Sequence, residues 1–501
     1  MTDPTTAAYW HARAAALKFE TGHFIDGAFV PSLDGRVFET VNPATGAVLA
    51  EVAAGSAADV ERAVASARRA FRSGVWSRMD PRARLAVLEK FSALIEENAE
   101  LFAVTDTVDM GKPISEMLNI DVPGSYTAIK FFAETADKLE GAVTSTAASA
   151  LHYILRQPLG VVGLIVPWNY PLMMAAWKLG PALVTGNSVV LKPAEQSPLS
   201  AALLAKLFIE AGGPPGVLNV VQGVGEEAGK ALALHNDVDK IGFTGSVEVG
   251  KLMMIYSGQS NLKRVTTECG GKSPQIVLAD VEDLETTVSY CVNAIYGNQG
   301  EVCSAGSRLL VDESVHGDFV ALFREKAAAG FNPGDPLDPA TTMGPLVTSQ
   351  HQKKVLSMID SGRSEGAKLE LGGGVPSALN QGCYVEPTLF SGVSPSMTIA
   401  REEIFGPVAS VLKVNGIEEA LSLANNTTFG LAASIWTRDV STALRFGRDI
   451  EAGIVWVNCY DHGDMTQPWG GFKQSGNGRD KCLEALTQYT QTKSVWVNIG
   501  A

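Results

Sequence analysis

Cys303 stands in the run GNQGEVCSAGSR from Gly297 to Arg308, 35 positions after Glu268 in the run ECGGKSP. A single thiol among small and polar residues, with a carboxylate in the preceding segment, suggests nucleophilic attack on a carbonyl. A free thiol has a pKa of about 8.5, so it needs a base or a local field to become the thiolate. The competing reading is a small apolar core residue, the usual role of a free cysteine. No histidine motif accompanies Cys303, and the chain has only seven histidines, which disfavours a cysteine hydrolase.

Other runs hold groups that could serve such a thiol. Asn169, in PWNYP, follows an apolar run, where a side-chain amide could donate to a developing oxyanion. The competing reading is a proline-rich turn. Lys192 and Glu195 close a second run, in KPAEQSP, and could hydrogen-bond two vicinal hydroxyls of a ribose. Gly225 and Gly229 in GVGEEAG, and Gly245 and Ser246 in FTGS, mark turns whose N–H groups could face phosphate. Neither turn matches GxGxxG with an acidic residue 20 positions on, so a standard dinucleotide fingerprint is absent but a nucleotide site is not excluded.

The elements that must position these groups follow from periodicity. Short β-rich runs at 161–166, 188–191, 217–221 and 240–243 alternate with helix-like segments, and a second series runs through 275–278, 308–311, 408–414, 432–436 and 454–457. Such alternation predicts βαβ units, parallel sheets and two α/β domains in succession. Asp80-Pro81 predicts a helix start, with apolar residues after it at helical spacing, and 58–71 predicts a second amphipathic helix.

Composition excludes other classes. A net charge of −14 and no basic cluster argue against nucleic acid as partner. Six cysteines without CxxC or CxH spacing argue against zinc and for free thiols in a reducing compartment. The N-terminal run lacks the apolar core of a signal peptide, and no run reaches the 18 or so apolar residues of a membrane span. The expectation is a soluble, cytoplasmic protein with no membrane partner.

Seven motifs occur in the order seen in the aldehyde dehydrogenase superfamily: PWNYP, KPAEQSP, FTGS, ECGGKSP, the Cys303 run, EEIFGPV from Glu402 to Val408, and PWGGFKQSG from Pro468 to Gly476. The chain resembles that superfamily from Phe24 to Val497. The resemblance implies an α/β fold: a Rossmann-like NAD-binding domain at 1–138 and 157–268, a catalytic domain at 269–480, and a small β oligomerisation element at 139–156 and 481–501. It implies Cys303 as the nucleophile, Asn169 with the Cys303 N–H as oxyanion donors, Glu268 as the base that activates water, and Lys178 behind it. It assigns Lys192 and Glu195 to the adenosine ribose, Gly245 and Ser246 to the pyrophosphate, Glu403 to the nicotinamide ribose and Phe405 to the nicotinamide.

Two departures from the family pattern stand out. Cys269 replaces a common leucine, read either as packing or as an oxidation liability, and Asp480 stands where glutamate is usual. Glu195 beside the ribose favours NAD over NADP, and screening leaves room for weaker use of NADP. NCYDHGDMT from Asn458 and KQSGNGRDK from Lys473 resemble the branch acting on γ-glutamyl-γ-aminobutyraldehyde and related aminoaldehydes in bacterial polyamine breakdown.

Related enzymes line the tunnel with aromatics and place a carboxylate near its mouth. Tyr170, Trp177 and Asp121 match those positions, where cation–π and charge attraction suit an amino group. Core packing of Trp177 and helix capping by Asp121 stay open as alternatives. Gly297 leaves room where some aminoaldehyde enzymes have tryptophan. Betaine aldehyde or semialdehyde dehydrogenases of broader specificity, CoA-acylating enzymes and catalytically silent relatives are the other readings. The retained Glu268 disfavours acylation to CoA, and the intact Cys303, Asn169 and Glu268 disfavour a silent relative. The resemblance also implies a homodimer or homotetramer.

Overall fold

The computed structural model describes residues 3–500. Two seven-stranded sheets carry the architecture. The first has at its centre Val161–Ile165, with Ser188–Lys192 and Leu218–Val220 on one side and Lys240–Gly245 and Arg264–Cys269 on the other, all parallel. The runs VVGLI and SVVLK are buried at every position, as expected of strands covered on both faces. The observed strand bounds lie within two residues of those read from periodicity.

One addition was not anticipated. A hairpin of His23–Ile25 and Ala28–Val30 extends the first sheet antiparallel to Leu218–Val220. Its two-residue turn, Asp26-Gly27, has φ of 57° and 83°, the left-handed pair that matches strand twist.

The second sheet orders Lys368–Leu371, Thr388–Ser391, Val408–Val414, Arg308–Asp312, Pro274–Val277, Ala432–Trp436 and Ile454–Val457. All pairs are parallel except that of Lys368–Leu371 with Thr388–Ser391. A separate three-stranded sheet pairs Ala142–Thr144 and Thr490–Asn498 with the two sides of Ala150–Pro158.

Helices pack the sheet faces and set the loops. Pro81–Glu97 starts where Asp80 accepts from the Arg82 N–H, and Ala57–Ser73 starts with a capping box between Ser56 and Asp59. Pro171–Val184, which follows PWNYP, buries 13 of its 14 residues and fixes the loop before it. Among the described residues no helix is long and apolar enough to cross a membrane.

Candidate active site

In the first sheet the chain leaves Val161–Ile165 in one direction, then returns to its other side with Lys240–Gly245. Ligands of open α/β sheets bind at such a switch, beyond the carboxyl ends of the strands. PWNYP and FTGS occupy those two ends, and Glu268 lies near the end of the adjacent strand, Arg264–Cys269.

The loop from Trp469 to Asp480 wraps Glu268. It closes on itself through Trp469 N–H to Asp480 O at 2.9 Å and Asp480 N–H to Trp469 O at 2.7 Å. It also bridges the strand at Glu268 and Gly476. A Cβ on Gly470 or Gly478 would stand 2.8 Å from Glu268 Oε1, so the carboxyl occupies a slot that only glycines leave open. Glu268 is buried, and neither oxygen has a protein partner. Burial first, and then Asp480, push its pKa well above the carboxylate range, against the pull of Lys178 and Arg479. Lys178 Nζ donates to Asp480 Oδ2 at 2.7 Å, a buried ion pair behind the slot.

Cys303 follows a loop that spends backbone strain on its shape. Asn298, Gln299 and Gly300 are successively left-handed, at φ 46°, 56° and 73°. Asn298 Nδ2 holds the turn by donating to Asn169 O and Glu301 O, each at 3.1 Å, and Asn169 Nδ2 donates to the same Glu301 O at 2.7 Å. The PWNYP loop and the cysteine loop are therefore clamped together. Tyr460 OH donates to the Ser304 carbonyl on the far side. Gly271 lies beneath, where a Cβ would come 3.1 Å from Cys303 O. The thiol is half-buried. Burial, followed by Glu403, Glu268 and Asp461, pushes it up to about 12.

The residues assigned to a dinucleotide lie at strand ends of the first sheet and in loops of the second. Lys192 Nζ lies 3.1 Å from Glu195 Oε2 at its strand end. Gly225–Gly229 forms a π-helical turn, and a Cβ on Gly225 would meet nothing within 4 Å, so a ligand has space to approach this backbone. Ser246 caps the 13-residue helix Val247–Gln259, whose N-terminus favours phosphate. Gly245, just before the cap, lies with its Cβ position 2.5 Å from the Phe243 ring. Glu403 Oε1 accepts from the Gly271 N–H at 2.9 Å, and burial pushes its carboxyl up to about 7. Phe405 is left-handed at φ 60°, and its ring lies 5.3 Å from Trp168. His351 Nε2 lies 2.6 Å from Phe405 O. Carboxylates, a helix start with free N–H groups and aromatic rings are the kinds of group a nicotinamide dinucleotide needs.

Cys269 packs against the start of the helix Val247–Gln259. Its Sγ donates to Ser246 O at 3.8 Å and faces Gly250, and the thiol is buried.

Tyr170 and Trp177 lie just before and on the helix Pro171–Val184. Lys112 Nζ sits 3.3 Å from the Tyr170 ring centroid and pairs with Asp121 Oδ1 at 2.6 Å. Asp121 is 1% exposed and makes no side-chain cap, so its carboxylate is spent on Lys112. Trp177 is buried and meets Trp469 edge to face at 5.5 Å. A Cβ on Gly297 would meet nothing within 4 Å, so space is open there. Sequence reasoning did not single out Lys112, Asn298, His351, Asp461, Trp469 or Lys481. Asn298, Asp461, Trp469 and Lys481 sat in runs already noted, but the roles of all six depend on contacts between segments far apart in the chain.

Comparison with known proteins specifies the class to which this fold and site belong. The chain belongs to the aldehyde dehydrogenase family, whose model matches residues 29–495. It is an NAD(P)-dependent aldehyde dehydrogenase.

Among its relatives, the NADP/NAD-dependent aldehyde dehydrogenase PuuC of Escherichia coli K12 is 49% identical over 496 residues, covering 99% of each chain. The solved indole-3-acetaldehyde dehydrogenase of P. syringae, in complex with NAD+ and IAA, is 53% identical at a TM-score of 0.97, covering 98% of this chain and 99% of that one. A γ-glutamyl-γ-aminobutyraldehyde dehydrogenase of Burkholderia cenocepacia J2315 is 50% identical at a TM-score of 0.96, covering 99% and 100%. These relatives include the aminoaldehyde branch that the motifs resemble.

Proposed function

We propose that this enzyme oxidises an aminoaldehyde, such as γ-glutamyl-γ-aminobutyraldehyde or 4-aminobutyraldehyde, to its carboxylic acid in the cytoplasm, as a step of polyamine catabolism. The observation that carries the chemical reading is the convergence of the half-buried Cys303 thiol with the unpartnered, buried Glu268 carboxyl.

In this reading Cys303 Sγ attacks the aldehyde carbon to form a thiohemiacetal, and its proton passes to solvent or to Glu268. The oxyanion is met by the Asn169 amide and the Cys303 N–H. Asn169 has one amide hydrogen committed to Glu301 O and a second to offer. A nicotinamide dinucleotide, when bound, would supply the hydride acceptor, and loss of hydride from the thiohemiacetal carbon would leave a thioester on Cys303. Glu268 then takes a proton from water, which attacks the thioester and releases the acid and the thiol. Lys178, held by Asp480, balances the charge behind Glu268.

The unit at 1–138 and 157–268 holds the cofactor in this account, with Lys192 and Glu195 on the adenosine ribose, Gly225, Gly229, Gly245 and Ser246 near the phosphates, and Glu403 and Phe405 at the nicotinamide end. Glu195 favours NAD, because a 2′-phosphate would meet its charge. The unit at 269–480 carries the nucleophile. The strands of 139–156 and 481–501 join protomers into a dimer or tetramer. Tyr170 and Trp177 line the aldehyde tunnel, and Asp121 acts on it by anchoring Lys112 under Tyr170.

NADH formation across 4-aminobutyraldehyde, γ-glutamyl-γ-aminobutyraldehyde, betaine aldehyde, succinic semialdehyde and straight alkanals tests the substrate class. One of the two aminoaldehydes should give the highest kcat/KM. Preference for alkanals, betaine aldehyde or the semialdehyde would refute the reading.

A further inference from the structure

One ammonium and one carboxylate near the aldehyde path have no part in the chemistry above. Lys481 Nζ lies 5.2 Å from the Trp177 ring centroid and 5.5 Å from that of Trp469. Aromatic faces stabilise a cation but give its three donors no lone pairs. Among the described residues no hydrogen-bond or ion-pair partner reaches this Nζ. Its placement follows from its neighbour. Asp480 is held inward by Lys178 and by both hydrogen bonds to Trp469, so the next residue turns to the tryptophan pair.

Asp461 is exposed to solvent, and the charges of Lys481 and His462 favour its ionised form. It directly follows Tyr460, whose OH donates to the carbonyl of Ser304 next to Cys303, so the carboxylate sits on the segment that flanks the reacting thiol, and its charge is felt by both Cys303 and Lys481. Asp461, Lys481 and Cys482 are left-handed, at φ 53°, 60° and 42°. Such conformations are costly for non-glycine residues and concentrate where function fixes them.

The aromatic pair that would suit a substrate ammonium is thus already occupied by the protein's own cation. A substrate ending in a bare ammonium meets a like charge there, whereas a carboxylate meets a counter-ion with free donors. We propose that Lys481 and Asp461 are specificity-determining residues that read the far end of the aldehyde as an α-amino-acid group, the carboxylate on Lys481 and the ammonium on Asp461. This rests on the aminoaldehyde reading above and narrows it to acylated aminoaldehydes with a zwitterionic end.

The test compares 4-aminobutyraldehydes whose nitrogen carries γ-glutamyl, glutaryl or pentanoyl groups, which differ only in the far-end charges. In the wild type, kcat/KM should fall about tenfold or more from glutaryl to pentanoyl, and again from γ-glutamyl to glutaryl. Lys481→Met should abolish the first ratio, and Lys481→Arg should restore it. Asp461→Asn should abolish the second ratio only. Wild-type ratios near one, or ratios that survive these substitutions, would overturn the proposal, and the wild-type comparison needs no variant to fold. Efficient turnover of 4-aminobutyraldehyde with ratios near one would sink this inference alone. Turnover of all these substrates below that of hexanal would sink the aminoaldehyde reading with it.

Discussion

The Cys303 thiol is surrounded by charges of the wrong sign for ionisation. Glu403, Glu268 and Asp461 all add to the effect of burial, so the resting group is a thiol. Removing one negative charge should therefore make it more reactive. Glu403→Gln should speed alkylation of the cofactor-free enzyme by iodoacetamide at about pH 8.5, where Glu403 is otherwise ionised. An unchanged or slower rate would reject this balance of charges.

Glu268 carries the opposite consequence. A raised pKa favours its protonated form, so the base is absent at low pH and appears as pH climbs through that raised value. The thioester-hydrolysis rate should rise with pH along one ionisation, and Glu268→Gln should flatten that limb in stopped-flow traces. Cys303 and Glu268 were legible because each sits in a run of small residues with little other purpose. Lys481 and Asp461 were not, because a cation between two rings exists only once the 177, 461, 469 and 481 segments meet.

At the scale of elements, the loop from Trp469 to Asp480 sets the base. On Gly478→Ala the new Cβ would stand 2.8 Å from Glu268 Oε1 and 3.2 Å from Thr266 Cβ, within a strand that cannot yield. Such misplacement should lower kcat about 100-fold, while NAD binding, followed by fluorescence titration, is retained. Asp480→Ala would leave Lys178 buried without its partner, costing about 3–5 kcal/mol in denaturant unfolding. A loss under about 1 kcal/mol would mean the pair contributes little.

The strands of both sheets were readable because fully buried β-branched runs leave few alternatives to a parallel sheet. The His23–Ile25 and Ala28–Val30 hairpin escaped notice although Asp26-Gly27 is a strong turn signal. Its three-residue strands are too short for alternation to show. The strained Asn298-Gln299 turn was also hidden, since two left-handed non-glycine residues in succession run against local preference and are held by tertiary hydrogen bonds.

For the whole molecule, the three-stranded sheet leaves apolar surface uncovered. Val143, Leu151, Leu155, Trp496 and Ile499 are all exposed on or beside it. The nine-residue pairing of Thr490–Asn498 with Ala150–Pro158 keeps this surface ordered. An ordered apolar sheet with open edges favours assembly with other copies. Trp496→Glu should shift the sedimentation coefficient toward a smaller species, and an unchanged coefficient would place the interface elsewhere. This three-stranded element was reached only through family resemblance, since pairing across more than 300 residues has no local signature.

The account rests centrally on a covalent acyl intermediate at Cys303 whose removal depends on Glu268. The most direct measurement is peptide mass analysis of Glu268→Gln enzyme, acid-quenched within milliseconds of mixing with NAD and γ-glutamyl-γ-aminobutyraldehyde. An acyl adduct on the peptide carrying Cys303, formed together with a stoichiometric burst of NADH, is the result expected. A burst with no adduct, or an adduct on Cys269 instead, would contradict the account.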